Sequence, residues 1–549
     1  MKLVTVAEMR AVEKEADAKG LSYAQMMEKA GRGLADEIQL LAYSEDDERE
    51  ALGLIGSGNN GGDTLVALAH LAADGWRVRA YLINRSVSLD QAGVSSDALA
   101  ERFTQAGGEI IRVEDDARFD KLSAFVGSAD VIVDGVLGTG FKLPLRAEVA
   151  KVLAVVNTAI AEQSWPPYVV AVDCPSGVDS DSGEAADDTI PASLTVSMAA
   201  IKQGLLKFPA FELAGELRVV EIGLKDEVES WKNIHHFVAD DELVEDILPL
   251  RPADSHKGTF GTALIAAGSI NYIGAPLLAG RAAYRSGVGL VQMAVSSPVQ
   301  ITVAGHFPEA TWLMLPQEMG VIAEGAAEVL LKNCARATAL LIGPGFGSED
   351  TTKSFIEHLL KGKPGAPKNP ARIGFIQVGG EKVAVQNTAL PPLVVDADGL
   401  RLLAKIDGWA SLLPADTILT PHPGEMAALT GLEKEAIQAD RLNLAIKFAA
   451  EWGHVVVLKG AFTVIAAPDG RATLIPVASA ALARAGTGDV LAGLIVGLRA
   501  QGMDAYGAAV AGAWIHAQAG LYAAENVGAE ASVMAGDVLD AIADVLSGF

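Results

Sequence analysis

A chain of 549 residues, half of them hydrophobic, is too long for one ordinary domain and can bury sizeable cores, so two or three domains are expected. Its 69 acidic against 43 basic residues give a net charge of -26, which argues against nucleic acid and anionic membrane as partners, and no Lys/Arg-rich run overrules that balance. Its only two cysteines, Cys174 and Cys334, exclude a disulfide framework and any CxxC metal or redox motif, and they fit a reducing cytoplasm.

The opening MKLVTVAEMRAVEKEADAKG breaks its apolar spacing with charges every few residues, which predicts an amphipathic helix ending at Gly20 and not a leader peptide. A second helical pattern follows, and the run SEDDERE at 44–50 reads as solvated surface. From Ala51 short apolar runs alternate with longer helical patterns: ALGLI, TLVALAHLAADG, RVRAYLI, a helix near 94–106, DVIVD, a helix from Arg146, and YVVAVD. Such alternation predicts a parallel sheet with crossover helices, an α/β fold. After ELRVVEIGL the texture turns polar at KDEVESWKNIHHF, so we expect a first domain over 1–224, a linker over 225–236 and a second domain over 237–549. The second domain repeats the alternation with TALIAAG, GLVQMAV, ALLIG, PLVVDAD, DTILTPHPGE and HVVVLKG, and segment 361–392 reads as an insertion. No uninterrupted apolar stretch approaches the roughly 20 residues a membrane helix needs.

In the first half, GSGNNGGD (56–63) follows a strand and precedes a helix, where backbone N–H groups meet phosphorylated ligands in open α/β sheets. Two further strand ends, DVIVDGVLGTGF and VVAVDCPSGVDSDSG, leave Asp134 and Asp173 beside glycine-bearing turns. The three turns converge on one crevice if their strands are neighbours. Asn60, Asp134 and Ser176 then offer hard oxygen donors for a metal cation, whereas no His/Cys set suits zinc.

Together these motifs resemble the NAD(P)H-hydrate epimerase family, from the N-terminus to about Leu224. The resemblance implies a Rossmann-like domain that equilibrates the R and S epimers of hydrated NADH and NADPH around a bound potassium ion. It places the substrate on Asn59, Asn60, Gly61, Gly62 and Asp63 and on the 138–146 loop with Gly138, Thr139 and Gly140; potassium on Asn60, Asp134 and Ser176; and a substrate contact on Asp173. A carboxylate beside the hydrated ring suits proton transfer, so Asp173 is the expected acid/base, with a mere turn cap as the bland alternative. Thr64 departs from the family's usual glycine and is expected to narrow the loop. Cys174, beside Asp173, reads as a buried small residue and not a nucleophile.

In the second half, AGTGD (485–489) before an apolar helix resembles the anion hole of the ribokinase-like superfamily. Gly486 and Gly488 would hold a transferring phosphoryl group, and Asp489, kept ionised by the helix dipole, would accept the proton of the attacking hydroxyl. HKGTFGTALIAAGS, GAPLLAGRAAYRSGVGLV, IGPGFG, VVDADGLRLLA, LTPHPGEMAALTG, VLKGAFTVIAAPDG and AGTGDVLAGLIVGLRAQG follow one another as in the ADP-dependent NAD(P)H-hydrate dehydratase family, over about 250–549. With the first half, the chain resembles the bifunctional NAD(P)H-hydrate repair enzymes.

That resemblance implies hydrate contacts at Ala275, Gly345, His422 and Asp489, and ADP or AMP contacts at Lys459, Gly460, Ala461, Phe462, Thr463 and Gly488, with Mg2+ on the nucleotide. The expected ligands are NADHX, NADPHX and ADP, and a homo-oligomer without nucleic acid or membrane partners is expected. Lys459 as a surface lysine and His422 as a structural histidine remain alternatives. His256 and Lys257 sit in a glycine-flanked loop that reads equally as a lid or a surface turn, and Cys334 reads as core. The residues alone also admit a vitamin or sugar kinase fused to a nucleotide-binding module, or a first domain serving only as a nucleotide sensor.

Overall fold

The computed structural model describes residues 1–41, 49–83, 96–361 and 390–549; residues 362–389 of the expected insertion lie outside the described residues. The chain divides into two compact units, Met1–Val238 and Ala239–Phe549.

In the first unit a Thr5/Glu8 capping box starts helix Val6–Ala18, because Thr5 Oγ1 accepts from Glu8 N while Thr5 N donates to the Glu8 carboxylate at 2.8 Å. Helix Tyr23–Leu41 turns Met26, Met27, Ala30, Gly31 and Leu34 inward at three- and four-residue spacing. Gly31 lets it approach helix Asn59–Ala73 so closely that a Cβ there would lie 2.5 Å from Val66.

Seven parallel strands follow the order Glu109–Arg112, Arg77–Leu82, Glu50–Ile55, Val131–Gly135, Tyr168–Val172, Leu194–Met198, Glu216–Val220. Alternate strand residues feed two cores: Ala51 and Ile55 pack on one face, Leu52 and Leu54 on the other. Strands buried on both faces are near-continuous apolar runs, which explains why ALGLI and DVIVD were legible. The strands at 109–112 and 194–198 were not foreseen.

Segment 225–236, expected as a linker, is folded onto the first unit. It contains helix Glu229–Lys232, whose Glu229 and Ser230 N–H groups donate to the Glu15 carboxylate at 3.0 and 2.9 Å. Trp231 lies under the Lys2 ammonium, and Val228 and Ile234 are buried. Caps and a cation–π contact hold this segment, so it carries no apolar period to read.

In the second unit the strands follow the order Ala472–Leu474, Val464–Ala466, Val455–Leu458, Ile418–Leu419, Leu393–Val395, Ala339–Ile342, Thr262–Ala266, Leu290–Ser296, Thr311–Leu315. All pair in parallel except the first three, which pair antiparallel with one another. Ala263 and Ile265 face one core, Leu264 and Ala266 the other. Helix Thr487–Ala500 is buried along most of its length and crosses helix Gly274–Arg285 on glycines: a Cβ at Gly493 would lie 2.2 Å from Ala279 O. Among the described residues no helix is long and apolar enough to cross a membrane.

Candidate functional site

In the first unit the strand order reverses between Glu50–Ile55 and Val131–Gly135, and the crevice beyond their carboxyl ends is where open α/β sheets bind ligands. Strand Tyr168–Val172 is the next neighbour, so the three glycine turns do meet. Gly56 packs against the second turn; a Cβ there would lie 1.8 Å from Val136 O. Helix Asn59–Ala73 starts at Gly58 with no side-chain cap, which leaves its first N–H groups free for an anion.

A cavity of about 870 Å3 opens here, lined by Asn59, Asn60, Asp63, Asp173 and, from the expected 138–146 loop, Gly138, Thr139, Gly140, Lys142 and Arg146, and by Arg10, Glu13 and Tyr23 among those not foreseen. Gly61 and Gly62 are buried behind it, where a Cβ on Gly62 would lie 2.6 Å from Met27 Cε. Thr64 lies fully buried in helix Asn59–Ala73. Its hydroxyl is buried and donates to Asn60 O at 2.6 Å, inside the helix's first turns.

Asp134 is fully buried, accepts from Ser176 N and Oγ at 2.8 and 2.5 Å, and has no basic partner among the described residues. Burial pushes its carboxyl up, and the Ser176 bonds oppose that. The Asn60 amide nitrogen donates to Leu137 O and Val172 O, and its Oδ1 faces Gly138, where a Cβ would lie 2.4 Å away. A buried carboxylate without countercharge, beside neutral oxygens, is a donor set suited to a monovalent cation.

Asp173 has φ 67°, a left-handed conformation that costs an aspartate about 1–3 kcal/mol. The conformation aims its carboxylate at Met198 N, 2.9 Å away, and at the Lys202 ammonium, itself fully buried and bonded to Met198 O. Sequence reading missed Lys202; its signal was the one charged residue within SMAAIKQGLL. It also missed Glu13, whose carboxyl is pushed up by burial and then by Asp173. Cys174 is buried and its thiol pushed up to about 12 by desolvation, so it is inert as a nucleophile.

In the second unit the reversal lies between Thr262–Ala266 and Ala339–Ile342, and the turns after strands 339–342, 393–395, 418–419 and 455–458 carry the chemistry. Gly343 fits only without a side chain, since a Cβ there would lie 2.0 Å from Asp396 O. Gly345 at φ 65° abuts Tyr272 and Ala275, and Ala275 opens the helix whose Leu278 touches Gly486. Gly486, at φ 93°, caps helix Thr487–Ala500, with Asp489 in its first turn. Hence Ala275, Gly345, Gly486 and Asp489 share one neighbourhood.

Asp489 departs from expectation. Desolvation and then the Asp396 carboxylate push it up to about 7, against the pull of Lys459, so burial outweighs the helix dipole. Lys459 is no surface lysine: its Nζ is 2.7 Å from Asp396 Oδ1, 3.7 Å from Glu425 Oε2, and the nearest group to where a Gly488 Cβ would stand. Burial works against its charge, but Asp396 and Glu425 prevail and raise it. Asp396 and Glu425 were missed, although VVDADG and HPGE placed a carboxylate after each strand.

His422 is a helix cap. Its Nδ1 accepts from Gly424 N at 2.9 Å and Glu425 N at 3.2 Å, so the ring proton sits on Nε2, which faces Glu425 Oε1 at 3.2 Å. Burial, then Lys459 and Arg401, push the ring down to about 4, keeping it neutral. Both ring nitrogens are thus engaged by the protein, and only the partly exposed ring edge is open to a ligand. The 459–463 turn is closed by Thr463 Oγ1 on Gly460 O at 2.9 Å, with the Arg441 guanidinium against Gly460. His256 and Lys257 lie on an exposed turn closed by Gly258 N on His256 Nδ1. Cys334 is buried with its thiol pushed up to about 11. Among the described residues no three His, Cys, Asp or Glu side chains converge on a common metal position.

Comparison with known proteins matches residues 23–204 to the model of the YjeF-related protein N-terminus and residues 263–366 and 380–543 to that of NAD(P)H-hydrate dehydratase. The bifunctional NAD(P)H-hydrate repair enzyme of Moorella thermoacetica is 35% identical over 548 residues, covering 100% of this chain and 97% of the relative. That of Salinibacter ruber is 35% identical, covering 95% and 92%. The ADP/ATP-dependent NAD(P)H-hydrate dehydratase of Bacillus subtilis, co-crystallised with ATP and Mg2+, aligns with 57% of this chain and 98% of its own at 31% identity, with a TM-score of 0.45.

Proposed function

Because this chain belongs to the family of bifunctional NAD(P)H-hydrate repair enzymes, we propose that it repairs hydrated NADH and NADPH in two steps, one in each unit. The first unit interconverts the R and S epimers at C6. The second transfers the terminal phosphoryl group of ADP to the C6 hydroxyl of the S form, and loss of phosphate restores the nicotinamide double bond, leaving AMP. Hydroxide is a poor leaving group and phosphate a good one, which gives a kinase-like site its use in a dehydration.

In the first unit the free N–H groups at Asn59, with Arg10 and Arg146, suit the diphosphate, and Asp173 faces the hydrated ring as acid/base. Asn60, Asp134 and Ser176 would hold potassium, which when bound supplies the countercharge Asp134 lacks. In the second unit Gly486 and Gly488 donate N–H groups to the transferred phosphoryl, Lys459 offsets nucleotide charge, and Asp489 takes the hydroxyl proton. Magnesium, when bound with the nucleotide, neutralises charge on its phosphates. Asp396 and Glu425 hold Lys459 in place. His422 fixes the helix that carries Glu425, and its exposed ring edge and Ala275 flank the hydrate. Two free, buried cysteines are in keeping with a cytoplasmic protein, and a homo-oligomer is part of the proposal.

The observation that carries this reading is Asp489. Its carboxyl has no hydrogen-bond partner among the described residues, yet it stands at an uncapped helix N-terminus beside a partly buried lysine. The test is product identity. With S hydrate, ADP and Mg2+, the chain should release AMP and phosphate in step with recovered dihydronicotinamide absorbance, and Asp489→Asn should abolish both. A stable phosphorylated small molecule with no absorbance recovery would point instead to a vitamin or sugar kinase.

A further inference from the structure

Three carboxyl groups, Glu13, Asp63 and Asp173, line the cavity of the first unit, and one buried ammonium, Lys202, is paired with Asp173. Lys202 is committed to Asp173, and Arg10 stands one helical turn from Glu13. Asp63 is left with the least compensation: it is 7% exposed and lines the cavity, and its carboxyl makes no hydrogen bond or ion pair among the described residues. A carboxyl buried without a partner is costly when ionised and is tolerated when it keeps its proton.

Resting on the two-step reading above, we propose that Asp63 is a second catalytic residue of the epimerisation, the proton donor that complements Asp173. Inversion at C6 then proceeds by exchange of the hydroxyl. The Asp63 carboxyl gives its proton to the C6 oxygen, the C6–O bond breaks with its electron pair leaving on water, and the ring nitrogen lone pair forms the C6=N1 bond. Water adds to the opposite face of C6, the C6=N1 pair returns to nitrogen, and the proton released by that water goes to the Asp173 carboxylate. One proton is delivered and one recovered, so the reverse inversion starts from Asp173 and ends at Asp63. The cationic ring forms beside two carboxylates, and the ion pair with Lys202 holds the Asp173 carboxyl group in place.

The electrostatics agree with this division. Burial, then Asp173 and then Glu13, push the Asp63 carboxyl well above its ordinary range. Lys202 opposes this and is the weakest of the four causes. The apolar wall of Met26, Met27 and Ile222 on the same cavity offers a face for the nicotinamide ring, while Arg146 and the Asn59 helix start offer the phosphate end.

The test uses the full chain, pure R hydrate and no ADP, so that only the first unit turns over. In 18O water the wild type is expected to place one solvent oxygen on C6 of each S molecule formed, and inversion with the original oxygen retained overturns the proposal. Asp63→Asn should lower kcat for R-to-S conversion at least 100-fold with KM within about threefold, and Asp63→Glu should recover at least tenfold of that loss. A rate within threefold of wild type for Asp63→Asn, or a loss expressed mainly as raised KM and not recovered by Asp63→Glu, overturns it as well. If the wild type itself fails to convert R to S, the two-step reading falls; if it converts and Asp63→Asn keeps pace, only the role of Asp63 falls.

Discussion

Dehydration of the S hydrate should switch on with rising pH around a single group near 7. Asp489 sits in the first turn of a helix, where the dipole favours its charge, yet burial and then Asp396 push it up to about 7 while Lys459 pulls the other way. A base acts only when ionised, so about a tenth of the enzyme is competent at pH 6, about half at pH 7 and about nine-tenths at pH 8. The rate should therefore climb close to tenfold between pH 6 and 8. The two neighbours set the direction of change: Asp396→Asn removes a repelling carboxylate and should move the midpoint to lower pH, and Lys459→Met removes an attracting ammonium and should move it higher. Initial rates of absorbance recovery from S hydrate at saturating ADP and Mg2+, at constant ionic strength, give the midpoints. A flat wild-type profile across pH 6–8, or midpoints of the two variants that move in the same direction, would refute the assignment.

The same carboxyl has a stability consequence. Between the ordinary carboxylate range and about 7 the folded chain holds a proton that the unfolded chain has released, so folding stability falls as pH rises through that window. Asp489→Asn should therefore raise the unfolding midpoint in urea at pH 8, with a gain that shrinks as pH is lowered toward 5. Lys202→Met leaves Asp173 buried and unpaired and should cost about 3–5 kcal/mol in urea unfolding of the first unit, most of it recovered when Asp173→Asn is added. His422→Ala removes a cap and should cost about 1 kcal/mol, and His422→Asn should restore most of it. Gly56→Ala forces a Cβ into Val136 O and should cost about 1–3 kcal/mol and slow epimerisation, measured by denaturant midpoint and R-hydrate consumption.

The α/β class was legible because strands buried on both faces are continuous apolar runs, and the glycine turns between Gly56 and Asp63 and around Gly486 advertise backbone that must approach a ligand. The paired antiparallel strands 464–466 and 472–474 were missed because three residues each carry no period, and 229–232 because polar contacts hold it. Site carboxylates at strand ends were found where a glycine motif framed them. Glu13, on an N-terminal helix far away in sequence, had no such frame, and neither had Lys202, whereas Asp396 and Glu425 stood inside VVDADG and HPGE but their meeting at Lys459 is set by packing between separate strands. The ionisation of Asp489 was misjudged for a related reason: helix position is written locally, whereas burial and the nearness of Asp396 come from distant strands.

That one chain repairs both epimers is read from the final amplitude of absorbance recovery from an R and S mixture supplied with excess ADP and Mg2+. The wild type should recover the whole pool in a fast and then a slower phase, Asp173→Asn should halt near the S fraction apart from slow spontaneous epimerisation, and Asp489→Asn should recover nothing. A wild type that halts at the S fraction, or that recovers absorbance without consuming ADP, would contradict the account.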